Sequence, residues 1–169
     1  YRLDRLGIPL IEIGTTPDIK TPEHAKEVAE KLGMIIRSTG KSQRGIGVTR
    51  EDLNVSITKG ARVEIKGVQN LELIPEYVAR EAARQVALLG IREEMKKRGL
   101  NAREFEQKPQ DVSKLLHNTE CDLLKNAFGK GSIALAVKLP KFAGVLGREI
   151  QPQKRFGTEL AGYVKAKAR

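Results

Sequence analysis

Residues 51–68 constrain the fold more than any other part of the chain. Leu53, Val55 and Ile57 alternate with Asp52, Asn54 and Ser56, and after Thr58-Lys59-Gly60 the alternation resumes, with Val63 and Ile65 set against Arg62, Glu64 and Lys66. Period two on both sides of a turn describes two strands, each with one apolar and one polar face. Facing residues must share a face, so the loop must be of odd length. Thr58-Lys59-Gly60 supplies three residues, with Gly60 expected in the left-handed position of a type I turn plus bulge. That register sets Ser56 against Arg62, Asn54 against Glu64, Asp52 against Lys66 and Val55 against Val63.

Other elements fall into place around this hairpin. Ile8–Ile13 (IPLIEI) reads as a strand with Pro9 at its edge or start, since proline cannot donate to a ladder. Thr21-Pro22-Glu23 is a helix start, with a capping hydroxyl, a proline in the first turn and an acid near the positive end. Ala25, Val28, Ala29, Leu32, Ile35 and Ile36 recur at helical spacing, and Gly40 suits the stop. A second helix is expected from near Pro75 to Arg98, with Val78, Ala82, Val86 and Leu89 as its apolar stripe and Gly99 as its end. Residues 101–109 read as a linker. Val112, Leu115, Leu116, Leu123, Leu124 and Phe128 then suggest helical packing, interrupted near Asn118-Thr119. Gly129-Lys130-Gly131 is a turn, and Ile133, Leu135, Val137 and Leu139 form the bulky face of a further strand. Thr158 is the expected N-cap of a last helix. The fold class is α+β, an antiparallel sheet with flanking helices followed by a small α+β unit, with the division placed between residues 104 and 105. The chain starts inside a structured pattern and stops inside a helical one, which suggests a fragment.

Composition narrows the partners. Lys plus Arg number 31 against 21 Asp plus Glu, a formal charge of +10 that suits a polyanion such as nucleic acid. The same surplus also describes a basic protein with no such partner. One cysteine, Cys121, excludes an internal disulfide and fits a reducing cytoplasm, and its expected state is a buried, inert thiol. No apolar run is long enough to cross a membrane. Scarce Trp, Met and Cys beside many ion-pairing residues hint at a heat-adapted source.

No phosphate-binding loop of the G-x-x-x-x-G-K-[ST] type is present, and one cysteine with two histidines, His24 and His117, cannot close a zinc site. What remains is the polar face of the hairpin together with Glu12, which stands alone among apolar neighbours. Glu12, Asp52 and Glu64 supply carboxylates, Arg50, Arg62 and Lys66 supply cations, and Asn54 supplies an amide. Magnesium takes one or two carboxylates, keeps waters and completes its shell with substrate phosphate, while Arg and Lys meet phosphate charge. A solvated sheet face laced with weak ion pairs has the same composition.

Three strings, RLGIPLIEIGTTPDIKTPEHA, REDLNVSI and ARVEIKGVQNL, occur in an order that resembles the catalytic core of the tRNA-dependent amidotransferases, which convert glutamyl-tRNA(Gln) to glutaminyl-tRNA(Gln). The likeness covers about residues 1–100. Where the bacterial B subunit carries paired glutamates ahead of a glycine, this chain has Arg44-Gly45-Ile46-Gly47, which points to the archaeal relative, the E subunit. LPKFAGVLGREIQPQKRFGTELAGYV is similar to the insertion that the E subunit shares with bacterial aspartyl-tRNA synthetases, over roughly residues 105–169. The resemblance implies a cytoplasmic enzyme that uses ATP and Mg2+ to activate the γ-carboxylate of tRNA-bound glutamate. An asparaginase-like D subunit would supply the ammonia. It implies Glu12 and Glu64 as metal ligands, Arg50 and Lys66 as phosphate-facing groups, and Asp52 and Asn54 as groups that orient them. Lys138, Lys141, Arg148, Lys154 and Arg155 would face tRNA. The rival expectations are a module that only binds tRNA through its basic surface and a fragment of an aspartyl-tRNA synthetase.

Overall fold

A computed structural model describes residues 7–43, 45, 47–100 and 108–167. Arg44 and Ile46, and most of the expected linker with the expected division at 104/105, lie outside the described residues. The element order is α1 (Pro22–Ser38), β1 (Glu51–Val55), β2 (Val63–Val68), a 3-10 turn (Leu71–Leu73), α2 (Ile74–Lys97), β3 (Gln110–Asp111), α3 (Ser113–Leu116), α4 (Asp122–Gly129), β4 (Leu135–Ala136), β5 (Glu149–Gln151), β6 (Lys154–Arg155) and α5 (Phe156–Lys167). This is an α+β fold. Its sheets among the described residues are three antiparallel pairs, β1–β2, β3–β4 and β5–β6. The chain forms two compact units, one up to Ala82 and one from Ala83, so the division falls within α2.

In the first unit α1 begins as its sequence dictates. The Thr21 hydroxyl accepts from the His24 N–H and Pro22 occupies the first turn. Gly40, with φ +66°, follows the last turn. Ala25 is buried on the inner face with Val68 and Ile74, and Ile19, Ala29, Leu53, Ile65, Leu71 and Val78 pack around them. Burial of a side chain such as Ile74, which has no exposed surface, contributes about 1.5–3 kcal/mol. The 3-10 turn that leads into α2 is capped by the Asn70 side-chain carbonyl, which accepts from the Glu72 N–H at 3.0 Å.

The hairpin has the expected register over its central residues, with Asn54 opposite Glu64 and Val55 opposite Val63. The turn differs. Gly60 donates to the Ile57 carbonyl at 2.9 Å, and the left-handed residue is Lys59, φ +67°, rather than Gly60. The strands end at Val55 and Val63, so the connection is longer than three residues and closes on a four-residue turn that needs positive φ at its third position.

The expected strand at Ile8–Ile13 is not formed. The segment has no ladder partner among the described residues, and Leu10 and Ile11 are 89% and 85% exposed. A strand exists only by pairing, so local apolar character is insufficient.

The buried track of α2 also departs from expectation. Ile74, Glu81, Gln85, Ile91 and Met95 are buried and Val78 and Leu88 half-buried, whereas Val86 is 61% exposed. Two polar residues sit in the track, so reading apolar residues alone rotated the predicted stripe around the helix.

In the second unit the C-terminal half of α2 packs Ile91 and Met95 against Val145 and Ile150, with Leu88, Leu100, Phe142 and Phe156 around them. The helix ends in a Schellman motif: Leu100 N–H donates to Met95 O at 3.0 Å and Gly99 N–H to Lys96 O at 2.9 Å, with Gly99 at φ +67°. α3 and α4 are separated at residues 117–121, as the sequence suggests. The expected strand from Ile133 to Leu139 shrinks to β4, because β3 offers it only two residues, and Ile133, Leu135 and Val137 stay exposed. β5–β6 is a hairpin that the sequence pattern does not announce. The last helix starts at Phe156, two residues before the predicted cap Thr158, and Cys121 is exposed rather than buried.

Candidate functional site

The polar face of β1–β2 carries a compact charge cluster. Lys66 Nζ lies 3.1 Å from Asp52 Oδ2 and 2.9 Å from Glu64 Oε1. Asp52 Oδ1 accepts from the Gly67 N–H at 2.9 Å. The regular register already sets Lys66 against Asp52, and the Gly67 contact follows from an irregularity in the ladder. Leu53 pairs with Ile65 and Glu51 with Val68, so one residue on β1, Asp52, is matched by two on β2. This is a β-bulge, and it sets Lys66 and Gly67 together opposite Asp52. It also corrects the phase of β2, since the extra residue returns Val68 to the buried face.

These contacts tune the charges. The Gly67 N–H, and then Lys66, hold the Asp52 carboxyl below the usual carboxylate range, with Arg50 adding attraction. Glu64, and then Asp52, hold the Lys66 ammonium above its usual value. Asn54 is exposed opposite Glu64, and Arg50 is exposed just before β1. The structure thus brings together Asp52, Glu64 and Lys66, with Arg50 and Asn54 beside them. It does not join Glu12 to them by a sheet: Glu12 lies exposed in the irregular segment after Pro9.

The donor set fits magnesium chemically. Glu12 and Glu64 are exposed carboxylates, and hard oxygens with free access for water are what that ion takes. No group of three or more His, Cys, Asp or Glu side chains with metal-site geometry occurs among the described residues, so any such ion would rely on substrate oxygens and water.

Sequence reading missed Glu51, which faces inward beside Val68. Burial raises its carboxyl above the ordinary range. A group of this kind retains its proton in the folded chain at pH values where the unfolded chain has lost it. Stability therefore falls as pH rises from the unfolded value through the folded one. Glu51→Gln should remove that loss: thermal melts from about pH 4 to pH 7 should show a variant that gains on the parent as pH rises. Parallel curves would contradict it. The signal was available in the alternation, which places residue 51 on the same face as Leu53 and Val55.

The basic residues of the second unit divide into two groups. Lys141 Nζ donates to Gly99 O at 2.5 Å, Arg148 pairs with Glu94, and Lys154 lies 3.4 Å from Glu159 Oε2. These three hold the unit together. Lys138 and Arg155 are exposed and enter no ion pair among the described residues. The most buried pair is Arg84 Nη1 with Glu159 Oε1 at 2.5 Å, 11% and 7% exposed.

Comparison with known proteins agrees with the likeness seen in the sequence. Residues 1–128 match the GatB/GatE catalytic domain, and the chain belongs to that family. It is 54% identical over 165 residues to the E subunit of the glutamyl-tRNA(Gln) amidotransferase of Thermococcus gammatolerans. It is 54% identical over 165 residues to the protein of the same name from Methanospirillum hungatei, and 52% over 171 residues to that of Sulfolobus acidocaldarius. These alignments cover 98–99% of this chain but only 26–27% of each relative, so the chain spans about a quarter of their length.

Proposed function

We propose that this chain is the part of a tRNA-dependent amidotransferase E subunit that carries the phosphate-handling face of its kinase-like step. One observation carries the reading: in a chain of this family, Asp52 and Glu64 hold the Lys66 ammonium on an exposed strand face. The reaction begins when a γ-carboxylate oxygen of tRNA-linked glutamate attacks the γ-phosphorus of ATP and ADP leaves. Ammonia, supplied by an asparaginase-like D subunit, then adds to the acyl carbon. The carbon–oxygen bond to phosphate breaks, the nitrogen loses a proton, and the amide remains.

Lys66 and Arg50 would meet the charge that accumulates on the transferring phosphoryl group, where fixed cations act better than water. Asp52 and Asn54 would orient them. Glu64 and Glu12 would hold Mg2+, which when bound supplies charge neutralisation on the phosphates. Lys138 and Arg155 would extend to tRNA phosphates, with Lys141, Arg148 and Lys154 adding positive potential from their structural positions. Residues 105–169 would serve as the tRNA-facing insertion, and the enzyme would act in the cytoplasm. No helix among the described residues is long and apolar enough to cross a membrane.

Glu12→Gln and Glu64→Gln in the full-length enzyme test the reading. Each should abolish ATP-dependent glutaminyl-tRNA formation and leave tRNA affinity intact. Full activity in either variant would remove that residue from the site. Full activity in both, with salt-sensitive tRNA binding, would favour a module that only binds tRNA.

A further inference from the structure

Resting on the amidotransferase reading, we infer that Gly67 is a positioning residue for the phosphoryl-transfer step. Its left-handed backbone turns its N–H onto Asp52 and so fixes the carboxylate that aims Lys66. Three observations converge. The bulge matches one residue on β1, Asp52, with two on β2 and brings the Gly67 N–H to 2.9 Å from Asp52 Oδ1. The other oxygen of the same carboxylate lies 3.1 Å from Lys66 Nζ, so Asp52 is held from one side by backbone and holds the ammonium from the other. Gly67 has φ +71°, yet a Cβ built on it meets no atom within 4 Å. The site therefore demands the backbone conformation and not an absent side chain. Alanine resists that conformation, whereas asparagine tolerates it. The same N–H is the first influence holding the Asp52 carboxyl below its usual range.

The test compares Gly67→Ala and Gly67→Asn with Asp52→Asn in the full-length enzyme, by steady-state glutaminyl-tRNA formation. Gly67→Ala should lower kcat about 10–100-fold with the KM for glutamyl-tRNA unchanged, since a misplaced group costs rate rather than substrate affinity. Gly67→Asn should restore the parent rate, as a requirement for the left-handed backbone predicts and a requirement for an absent side chain does not. Gly67→Ala combined with Asp52→Asn should be no slower than Asp52→Asn alone, because both act through one contact. In NMR spectra of the 169-residue chain, the Gly67 amide proton should move upfield in Asp52→Asn as its charged acceptor is lost. Unchanged kcat in Gly67→Ala, an asparagine variant as slow as alanine, additive losses, or an unmoved amide would each overturn the inference. These outcomes leave the parent enzyme active and its reading intact. A parent enzyme that forms no glutaminyl-tRNA would overturn the reading and the inference together.

Discussion

Replacing Lys66 with methionine in the full-length enzyme is expected to slow amide formation about 10²–10³-fold while leaving tRNA affinity unchanged. Methionine keeps most of the stem and removes the charge. Lys66 is the point on which both Asp52 and Glu64 converge, so the variant also removes the counter-ion that the two carboxylates share. Arginine should not rescue it. A planar guanidinium presents its donors in a fixed fork, and the ammonium here sits as a compact point charge between two acids. A steady-state comparison of the parent, Lys66→Met and Lys66→Arg decides the matter. If the rate survives and tRNA binding weakens, with a salt slope reduced by about one unit, Lys66 is a tRNA contact and the site lies elsewhere.

Arg84→Met should produce the largest loss of stability, about 3–5 kcal/mol, because it leaves the buried Glu159 carboxylate without its closest cation. Lys154, at 3.4 Å from the other oxygen and partly exposed, compensates weakly. In a chain of this size the loss corresponds to a fall in Tm of about 10 °C. The double variant Arg84→Met/Glu159→Leu should recover part of it, since the Glu159 carboxylate is no longer left without its cation and the cost of desolvating the pair is saved. Thermal and urea unfolding of the single and double variants measure the effect. A single variant as stable as the parent, or a double variant worse than the single, would show that the pair does not secure α5.

Much of the frame was legible because its signals are local. Thr21, Pro22 and Gly40 bound α1 through their own backbone chemistry, and the alternation of residues 53–57 and 63–65 defines both strands and their central pairing. The polar cluster followed from that register, so Asp52, Glu64 and Lys66 could be grouped from the alternation alone. What escaped depends on non-local or single-residue events. A bulge inserts one residue without changing the apparent period until Val68, where the alternation slips by one. The left-handed turn residue is Lys59, a residue type that gives no warning. Glu81 and Gln85 are buried on α2, and a stripe drawn from apolar residues passes them by. Spacing groups the basic residues together, yet Lys141 and Arg148 find partners distant in sequence and Lys154 reaches Glu159 on the next element. Ile8–Ile13 has the composition of a strand, but composition provides no partner.

The proposed function requires direct phosphorylation of the glutamyl γ-carboxylate at the face built around Lys66. Glutamyl-tRNA labelled with ¹⁸O in that carboxylate, incubated with ATP, magnesium, ammonia and the full-length enzyme, tests it most directly. Each glutaminyl-tRNA formed should be accompanied by one inorganic phosphate bearing ¹⁸O, and both should disappear together in Lys66→Met. Phosphate free of label, or labelled phosphate formed at the parent rate by Lys66→Met, would contradict it.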